Sequence, residues 1–279
     1  MRVHHINCGT MCPYGRRLLG GTGRLRDVHE LVCHCLVIES EQGLVLVDTG
    51  YGLDAIADPE SHIGPFRSLG RPRLDPAETA IRQIEAMGHS ASDVRHILLT
   101  HLDLDHAGGL RDFPRARVHL MRAERDAAAN PRTFGERRRY RPVQWSHDPD
   151  WALYDEQGEP WHGFGCVRAL DGLPPEILLV PLAGHSRGHS AVAVDTGAGW
   201  LLHAGDAYFF RDEVDPWAPW CPPGLRLFQT VVATDRGERI RNQRRLSELV
   251  RHHGHEVRIF CAHDSRELSA LERTAAQRG

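Results

Sequence analysis

The sequence predicts a layered α/β fold. Short apolar, β-branched runs alternate with segments whose apolar residues recur at helical spacing, and several of the apolar runs end in an acid or an imidazole. The chain has 279 residues, of which 41% are hydrophobic and 25% are charged, so it contains enough apolar material for a substantial core. We expect a single domain over residues 1–279, with an insertion or cap at about 130–165 and a Pro- and Trp-rich loop at about 212–228.

The first predicted elements are two strands separated by a turn. LVCHCLVIE (31–39) and LVLVD (44–48) are short and β-branched, and Glu41-Gln42-Gly43 between them is typical of a turn. Residues 76–88 follow a helical pattern that ends at Gly88. Later strands are expected at 96–100, 116–120, 177–182, 190–195, 200–204 and 257–262, and later helices at about 122–129, at about 236–253 and at the end of the chain.

Composition excludes several classes of function. The net charge is -3, from 34 basic and 37 acidic residues, which gives no bulk attraction to nucleic acid or to anionic membranes. The chain has no Lys, which excludes Schiff-base lysine chemistry and a lysine-dependent phosphate loop. No apolar run is long enough to span a bilayer, and MRVHHINCGT lacks the apolar core of a secretory signal, so we expect a cytoplasmic protein.

The seven cysteines form no paired C-x-x-C set, which is typical of reduced thiols in a cytoplasmic protein. Cys33 and Cys35 form a C-x-C pair on a predicted strand, and a zinc site using them is only weakly indicated.

The strongest local motif is His101-Leu102-Asp103-Leu104-Asp105-His106, directly after a predicted buried strand. Burying these four polar groups without compensation is costly, and a metal ion supplies that compensation. Two ions suit the four groups better than one does, because neighbouring residues splay apart. A helix start capped by Asp103 or Asp105 is the alternative, but it leaves both histidines unexplained.

Three further residues follow apolar strands in the same way. His185 follows ILLVPL, Asp206 follows WLLHA, and His263 follows VRIFCA. Ligands in open α/β sheets lie at the carboxyl ends of strands, so these residues are candidates to complete a dinuclear site.

In these motifs the sequence resembles the metallo-β-lactamase superfamily and, within it, the N-acyl-homoserine lactonases. The motifs are CHCLVIESEQGLVLVDTG (33–50), THLDLDHAGG (100–109), GHSRGH (184–189), GDA (205–207) and IFCAHD (259–264). The resemblance implies a four-layer αββα sandwich. It also implies that His101, Asp103 and His185 bind one metal ion, that Asp105, His106 and His263 bind the other, and that Asp206 bridges both. By the same resemblance Asp48, His189 and Asp264 orient the ligands.

The sequence departs from the family pattern H-x-H-x-D-H at Asp103, where a histidine is expected. The extra carboxylate makes the site more anionic and favours harder ions such as manganese or iron, although zinc remains the first expectation. Flavodiiron proteins of the superfamily carry a carboxylate at this position, which leaves a non-heme iron redox role as an alternative. An Asp103→His substitution is expected to raise the affinity for zinc.

The expected reaction is hydrolysis of a lactone or another ester carbonyl by a hydroxide that bridges the two ions, with Asp105 receiving or relaying the proton. The lactonases place a tyrosine three residues after the bridging Asp; here Tyr208 follows by two residues and Phe209 by three. Tyr208 is therefore a candidate carbonyl-polarising residue, with simple packing as the alternative. Trp145, Trp217 and Trp220 are candidates for an apolar wall around an acyl chain.

Several alternatives remain open at this level. The same site serves thioester hydrolysis of the glyoxalase II type, with Arg side chains clamping carboxylates, or phosphodiester hydrolysis, for which Arg137 to Arg141 offer a basic segment. Gly184-His185-Ser186-Arg187-Gly188 fits G-x-S-x-G, but the strand-like SAVAVD after it disfavours a serine hydrolase built on Ser186. The expected partner is a small-molecule substrate, with no nucleic acid and no membrane, and a homodimer is an option.

Overall fold

The computed structural model of the protein describes residues 1–156 and 158–276. The strands of these residues are β1 Arg2–Met11, β2 Leu31–Ser40, β3 Gly43–Val47, β4 Val94–Leu98, β5 Arg117–Met121, β6 Asp150–Tyr154, β7 Pro160–Trp161, β8 Phe164–Gly165, β9 Ile177–Pro181, β10 Ser190–Asp195, β11 Trp200–His203 and β12 Val257–Phe260. The α-helices are α1 Arg16–Leu19, α2 Leu53–Ala57, α3 Pro59–His62, α4 Phe66–Gly70, α5 Ala80–Ala86, α6 Arg122–Ala129, α7 Phe134–Arg139, α8 Pro223–Val232, α9 Arg236–His253 and α10 Ser265–Ala276.

The strands form two main sheets. The first has the order β1-β2-β3-β4-β5-β6, antiparallel from β1 to β3 and parallel from β3 to β6. The second has the order β12-β11-β10-β9, in which β11 and β12 are parallel and β10 runs against both of its neighbours. The carboxyl ends of β9, β11 and β12 therefore lie at the same edge of the second sheet.

The alternation of side chains along β2 explains how the layers pack. Leu36 and Ile38 lie in a core between the sheets, together with Leu179 of the second sheet. Val37 points to the opposite face and packs with Ile84 of α5. Successive side chains of a strand point to opposite faces, so both faces of this strand are covered.

The outer face of the second sheet is covered by α9. Leu246 and Leu249 of this helix pack with Val180 and Ala193 in a separate core. Asp235 begins the helix by accepting a hydrogen bond from the Glu238 N–H at 2.9 Å. The order helix, sheet, sheet, helix confirms the four-layer αββα prediction.

Several elements differ from the sequence expectations. The loop expected at about 212–228 is a loop only in its first part, because α8 begins at Pro223. Strand β1 was not predicted, because the polar run His4-His5-Ile6-Asn7 hides its alternation. The helix expected over 76–88 is a 3₁₀ turn at Pro76–Glu78 followed by α5, which ends at Ala86. Part of the expected insertion at 130–165 belongs to the first sheet, since β6 pairs in parallel with β5.

Among the described residues, no helix combines the length and the apolar character that crossing a bilayer requires.

Candidate metal centre

The loops after β4, β9, β11 and β12 meet at one edge of the two sheets and bring together all seven predicted ligands. We call these seven residues the His/Asp cluster: His101, Asp103, Asp105, His106, His185, Asp206 and His263. Six of them are buried, and the Asp103 side chain is 18% exposed. Ionisable groups this well buried need compensation from partners or ions.

The first subsite consists of His101, Asp103 and His185. Asp103 Oδ2 lies 3.0 Å from His185 Nε2 and 3.4 Å from His101 Nε2. One ligand atom from each of these residues and one from Asp206 all lie within 4.8 Å of one another. This spacing allows four groups to contact a single ion.

The second subsite consists of Asp105, His106 and His263. Asp105 Oδ2 lies 3.6 Å from His263 Nε2 and 4.0 Å from His106 Nε2. The histidines also form a group with Asp206 whose ligand atoms lie within 4.8 Å of one another.

Asp206 divides its two oxygens between the subsites. Its Oδ2 lies 3.4 Å from His185 Nε2 and 3.8 Å from His101 Nε2. Its Oδ1 lies 3.2 Å from His106 Nε2 and 3.0 Å from His263 Nε2. A carboxylate in this position is suited to contact two ions at once.

Asp48 and Thr100 fix two of the imidazoles from behind. His106 Nδ1 donates to Asp48 Oδ2 at 2.8 Å, and the Thr100 hydroxyl donates to the same oxygen at 2.8 Å. Because that hydroxyl is used as a donor, His101 Nδ1 donates to Thr100 Oγ1 at 3.0 Å. In the neutral form both rings therefore carry their proton on Nδ1 and present Nε2 to the cluster, the form that binds metals.

Several buried atoms of the cluster have no hydrogen-bond partner among the described residues. His263 Nδ1 donates to the Val32 carbonyl at 2.7 Å, which leaves its Nε2 facing the cluster. The unpartnered atoms are His101 Nε2, Asp103 Oδ1, His106 Nε2, His185 Nδ1 and Asp206 Oδ1. Unpartnered buried acceptors of this kind are costly. Because they are imidazole nitrogens and carboxylate oxygens, the donor set fits divalent metal ions.

The carboxylates give the second subsite a negative potential. Burial alone would lower the pKa of His106, but Asp206, Asp48 and Asp105 outweigh it and raise that pKa well above its ordinary value. The pKa of His263 is also raised, because Asp206 and Asp105 overcome the opposing effect of burial. A place that attracts protons so strongly also attracts metal cations.

At the first subsite, a buried arginine accompanies the unusual Asp103. Arg139, the last residue of α7, has an 8% exposed side chain, and its Nη1 lies 3.4 Å from Asp103 Oδ2. Burial acts to raise the pKa of Asp103, but Arg139 and His101 hold it well below its usual range. The Arg139 Nη2 donates to the Val232 carbonyl. The sequence reasoning missed this pair, although Arg139 lies in the Arg-rich run already noted.

The outlying residues predicted to orient ligands have different contacts. His189 Nδ1 donates to the Leu182 carbonyl at 3.1 Å, and its Nε2 accepts from the Asp206 N–H at 2.9 Å, so it fixes the backbone of Asp206. Asp264 instead accepts from the backbone N–H and the Nη1 of Arg211, both at 3.0 Å. Its side chain therefore positions Arg211 rather than a residue of the cluster.

Tyr208 does not reach the cluster. Its side chain is fully buried, and its hydroxyl donates to Glu267 Oε1 at 3.0 Å. Phe209 faces the cluster instead, with its ring stacked 5.0 Å from that of His263. Tyr208 and Phe209 are neighbours in the loop after β11, and their side chains have different surroundings, Glu267 for Tyr208 and His263 for Phe209. The structure therefore favours the alternative for Tyr208, which is packing, over the polarisation of a carbonyl.

The Ser186 hydroxyl is not placed to act as a nucleophile. Its hydroxyl is buried and donates to Glu124 Oε2 at 2.7 Å, and Glu124 also accepts from the Gly188 N–H at 3.0 Å. A serine nucleophile needs an imidazole base as its partner. The structure therefore gives no support to the serine hydrolase alternative.

Of the two cysteines singled out, Cys33 lies beside the second subsite. Its Sγ and one ligand atom each of Asp105 and His263 lie within 4.8 Å of one another. Burial raises the pKa of the Cys33 thiol well above its ordinary value. Cys35, two residues further along the same face of β2, packs with Cys8 in the core beneath the first sheet, and no group of candidate ligand atoms found among the described residues contains both cysteines.

The predicted aromatic wall does not form. Trp145 is only 8% exposed and packs in the core beneath the first sheet, whereas Trp217 is 77% exposed. Trp220 packs on Phe210 with ring centroids 5.2 Å apart. The cavity that opens beside the cluster is lined by none of these three tryptophans.

The αββα layers and the cluster of two subsites are together typical of metallo-hydrolases. The chain belongs to the metallo-beta-lactamase superfamily, whose family model matches residues 29–255. It is 44% identical over 276 residues to a probable metallo-hydrolase of Mycobacterium tuberculosis, an alignment that covers 99% of this chain and 84% of that one.

More distant relatives are N-acyl homoserine lactonases. The Bacillus cereus lactonase is 26% identical over 210 residues, which cover 73% of this chain and 76% of the lactonase. A structure of an N-acyl homoserine lactone hydrolase, with N-hexanoyl-L-homoserine bound at its catalytic metal center, superposes with a TM-score of 0.71 at 20% identity, covering 96% of this chain and 95% of that one. This last similarity concerns the fold. Family, relatives and cluster together support a metal-dependent hydrolase.

Proposed function

We propose that the chain is a dinuclear metal-dependent hydrolase that cleaves a lactone or another ester. The observation that carries the proposal is the position of Asp206, whose two oxygens face two separate pairs of imidazoles, each pair with one unpartnered Nε2, that of His101 or that of His106. The N-acyl homoserine lactonases among the relatives support the choice of a lactone or ester.

The seven residues of the cluster have distinct proposed roles. His101, Asp103 and His185 would hold one ion, Asp105, His106 and His263 would hold the other, and Asp206 would contact both. Divalent ions bound there would polarise the substrate carbonyl and lower the pKa of a bound water. Zinc suits the four imidazoles, and the carboxylate of Asp103 also admits manganese or iron.

Asp105 and Phe209 have roles besides metal binding. Asp105 is 9% exposed, and we assign its carboxylate the acceptance of the proton released during hydrolysis. Phe209 stacks on His263, which holds that ring in place. Tyr208, bound to Glu267, takes no part in the reaction.

Arg139 favours hydrolysis over a redox role for this site. With two divalent ions, the three carboxylates Asp103, Asp105 and Asp206 leave one formal positive charge, one less than a site with two carboxylates has. The guanidinium of Arg139, 3.4 Å from Asp103, restores that charge. The Lewis acidity lost with the extra carboxylate is thereby recovered in part.

The test uses protein purified without added metal. We expect about two ions per chain by elemental analysis, cleavage of at least one ester or lactone in a panel that also contains a thioester and a phosphodiester, and loss of cleavage with a chelator. Asp206→Asn is expected to bind neither ion and to lose more than ~100-fold in activity. This loss exceeds the one expected when a residue that only hydrogen-bonds to a metal ligand is replaced.

The matched control is Asp126→Asn, an exposed acid on α6. It is expected to keep both ions and full activity. Ester cleavage that survives chelation, or an Asp206→Asn protein that retains two ions, contradicts the proposal.

A further inference from the structure

A polar cavity of about 340 Å³ opens onto one end of the His/Asp cluster. His263 and Phe209 lie in its lining, together with Arg16, Arg211 and Arg266. His263 is the one member of the cluster in this lining, so the cavity reaches the cluster from the side of the second subsite. A group held in the cavity therefore lies next to that subsite.

Arg211 is fixed within this cavity. Its Nη1 donates to Asp264 Oδ2 at 3.0 Å, and its guanidinium carbon lies 4.4 Å from the centroid of the Phe210 ring. The Arg211 backbone N–H donates to the same Asp264 oxygen at 3.0 Å. Asp264 thus holds Arg211 in place and offsets its charge.

The other two arginines carry uncompensated charge. Arg16 and Arg266 are exposed, and neither side chain forms an ion pair or hydrogen bond with the rest of the described chain. Glu30, the second acid of the lining, shares Arg73 with Glu78, each at 2.9 Å. The lining therefore holds three arginines against two acids, and the two arginines without an ion pair are both exposed.

From this arrangement we propose that the cavity is a subsite for an anionic group, and that the substrate of the hydrolase is an ester with a carboxylate or phosphate tail. The proposal rests on the proposed function and narrows its substrate class. Guanidinium groups bind carboxylates and phosphates through paired N–H donors, and such charge-assisted hydrogen bonds are stronger than neutral ones. Apart from Phe209 and Phe210, most of the lining is polar or charged, which disfavours a long neutral acyl chain.

The experiment compares esters that share one scissile bond and differ only in the tail: a carboxylate, a phosphate, or the neutral methyl ester of the carboxylate. With metal-loaded protein, kcat/KM for at least one anionic tail is expected to exceed that for the neutral tail by about 10-fold or more. Arg16→Gln/Arg266→Gln is expected to abolish this preference by raising KM with little change in kcat. Arg17→Gln, an exposed neighbour on α1 outside the cavity, is the control and should retain it.

Calorimetry gives a readout independent of catalysis. The corresponding amides, which lack the scissile ester, are titrated into the metal-loaded wild type and variants. The anionic amides are expected to bind the wild type about 10-fold more tightly than the neutral amide, and the double variant is expected to lose this difference. Which anionic amide binds better distinguishes a carboxylate from a phosphate.

The two proposals fail in different ways. Equal binding of neutral and anionic amides, or a preference that survives in Arg16→Gln/Arg266→Gln, overturns the anion subsite and leaves the hydrolase intact. Selective binding of anionic amides without cleavage of any ester supports the subsite and contradicts the hydrolase.

Discussion

The two subsites share Asp206 but differ in what surrounds them. The first contains Asp103, which has the Arg139 guanidinium of α7 beside it. The second contains Asp105 and adjoins the cavity through His263. One subsite thus has an internal cation as its neighbour, whereas the other has a cavity that a ligand can enter.

This difference shows how one metal-binding side chain can be replaced by another of different charge while the net charge of the site is kept. A carboxylate in place of a neutral imidazole adds a negative charge, and a guanidinium drawn from a distant segment cancels it. Breaking one member of a buried pair is far more costly than replacing both, because the remaining charge is left uncompensated. The first subsite should therefore respond to mutation as a unit of Asp103 and Arg139.

The largest expected effect is on the metal-free protein when this unit is broken. Arg139→Met leaves Asp103 without its cation, and we expect it to lower the free energy of unfolding by about 3–5 kcal/mol. With metal bound the loss should be smaller, because the ions compensate Asp103. Denaturant titration with and without metal measures both values. Arg137→Met, on the exposed part of the same helix, is the control.

A double-mutant cycle sharpens the same point. On charge alone, Asp103→His should raise zinc affinity, but in this fold it leaves Arg139 buried beside an imidazole and an ion. We therefore expect a gain in zinc affinity only in Asp103→His/Arg139→Met, as measured by competition with a chelator. A gain in the single Asp103→His variant as large as in the double variant would show that the two residues are not coupled.

The next prediction concerns the residues that hold the imidazoles of each subsite in place. Asp48→Asn weakens the acceptor of His106 Nδ1, and we expect roughly 10–100-fold weaker binding of the second ion. Asn also tolerates the left-handed backbone of Asp48, whose φ is 56°. Thr100→Val removes the acceptor of His101 instead, so it should weaken chiefly the first ion. Stepwise metal titration followed by calorimetry measures the affinity of each ion in the two variants. If both variants weaken both ions equally, Asp48 and Thr100 do not support different subsites.

The smallest effect concerns pH and the scaffold behind the second subsite. Burial raises the pKa of Glu267 to about 7, despite its hydrogen bonds from Cys261 and Tyr208. The folded state then holds a proton that the unfolded state releases near pH 4.5, so this residue reduces stability as pH rises from about 4.5 through about 7. The Asp103–Arg139 pair stays charged over that range and adds no such slope.

In Glu267→Gln the amide oxygen accepts from the Cys261 N–H and the amide NH2 donates to the Tyr208 oxygen, so both contacts persist without the titration. Between pH 5 and pH 8, we expect the metal-free wild type to lose a few degrees more in Tm than the variant does. Glu272→Gln, an exposed acid on α10, is the control and should behave as the wild type. Parallel losses in wild type and Glu267→Gln would mean that Glu267 is ionised throughout.

The sequence predicted the parts of the site that follow strands. His101 to His106, His185, Asp206 and His263 were found because each follows an apolar run, and the ends of parallel strands meet at one edge. The layers were predicted for the same reason, since alternation and helical spacing are local patterns.

The parts that remained hidden depend on contacts between distant segments. Arg139 lies 36 residues after Asp103 in the sequence. It is one of four arginines between residues 137 and 141, and no periodicity distinguishes it from the others. The choice between Tyr208 and Phe209 depended on a single residue of register. The polar character of β1 concealed a strand that is held in place by pairing with β2.

The position of Arg139 at the end of α7 couples that short helix to the ions. Since the guanidinium can balance Asp103 only while α7 is folded against the site, the affinity of the first ion and the folding of the 134–139 segment are linked quantities. A ligand or partner that displaced the helix would alter metal occupancy without touching a single coordinating atom, and a change in metal occupancy would in turn shift how often the helix detaches.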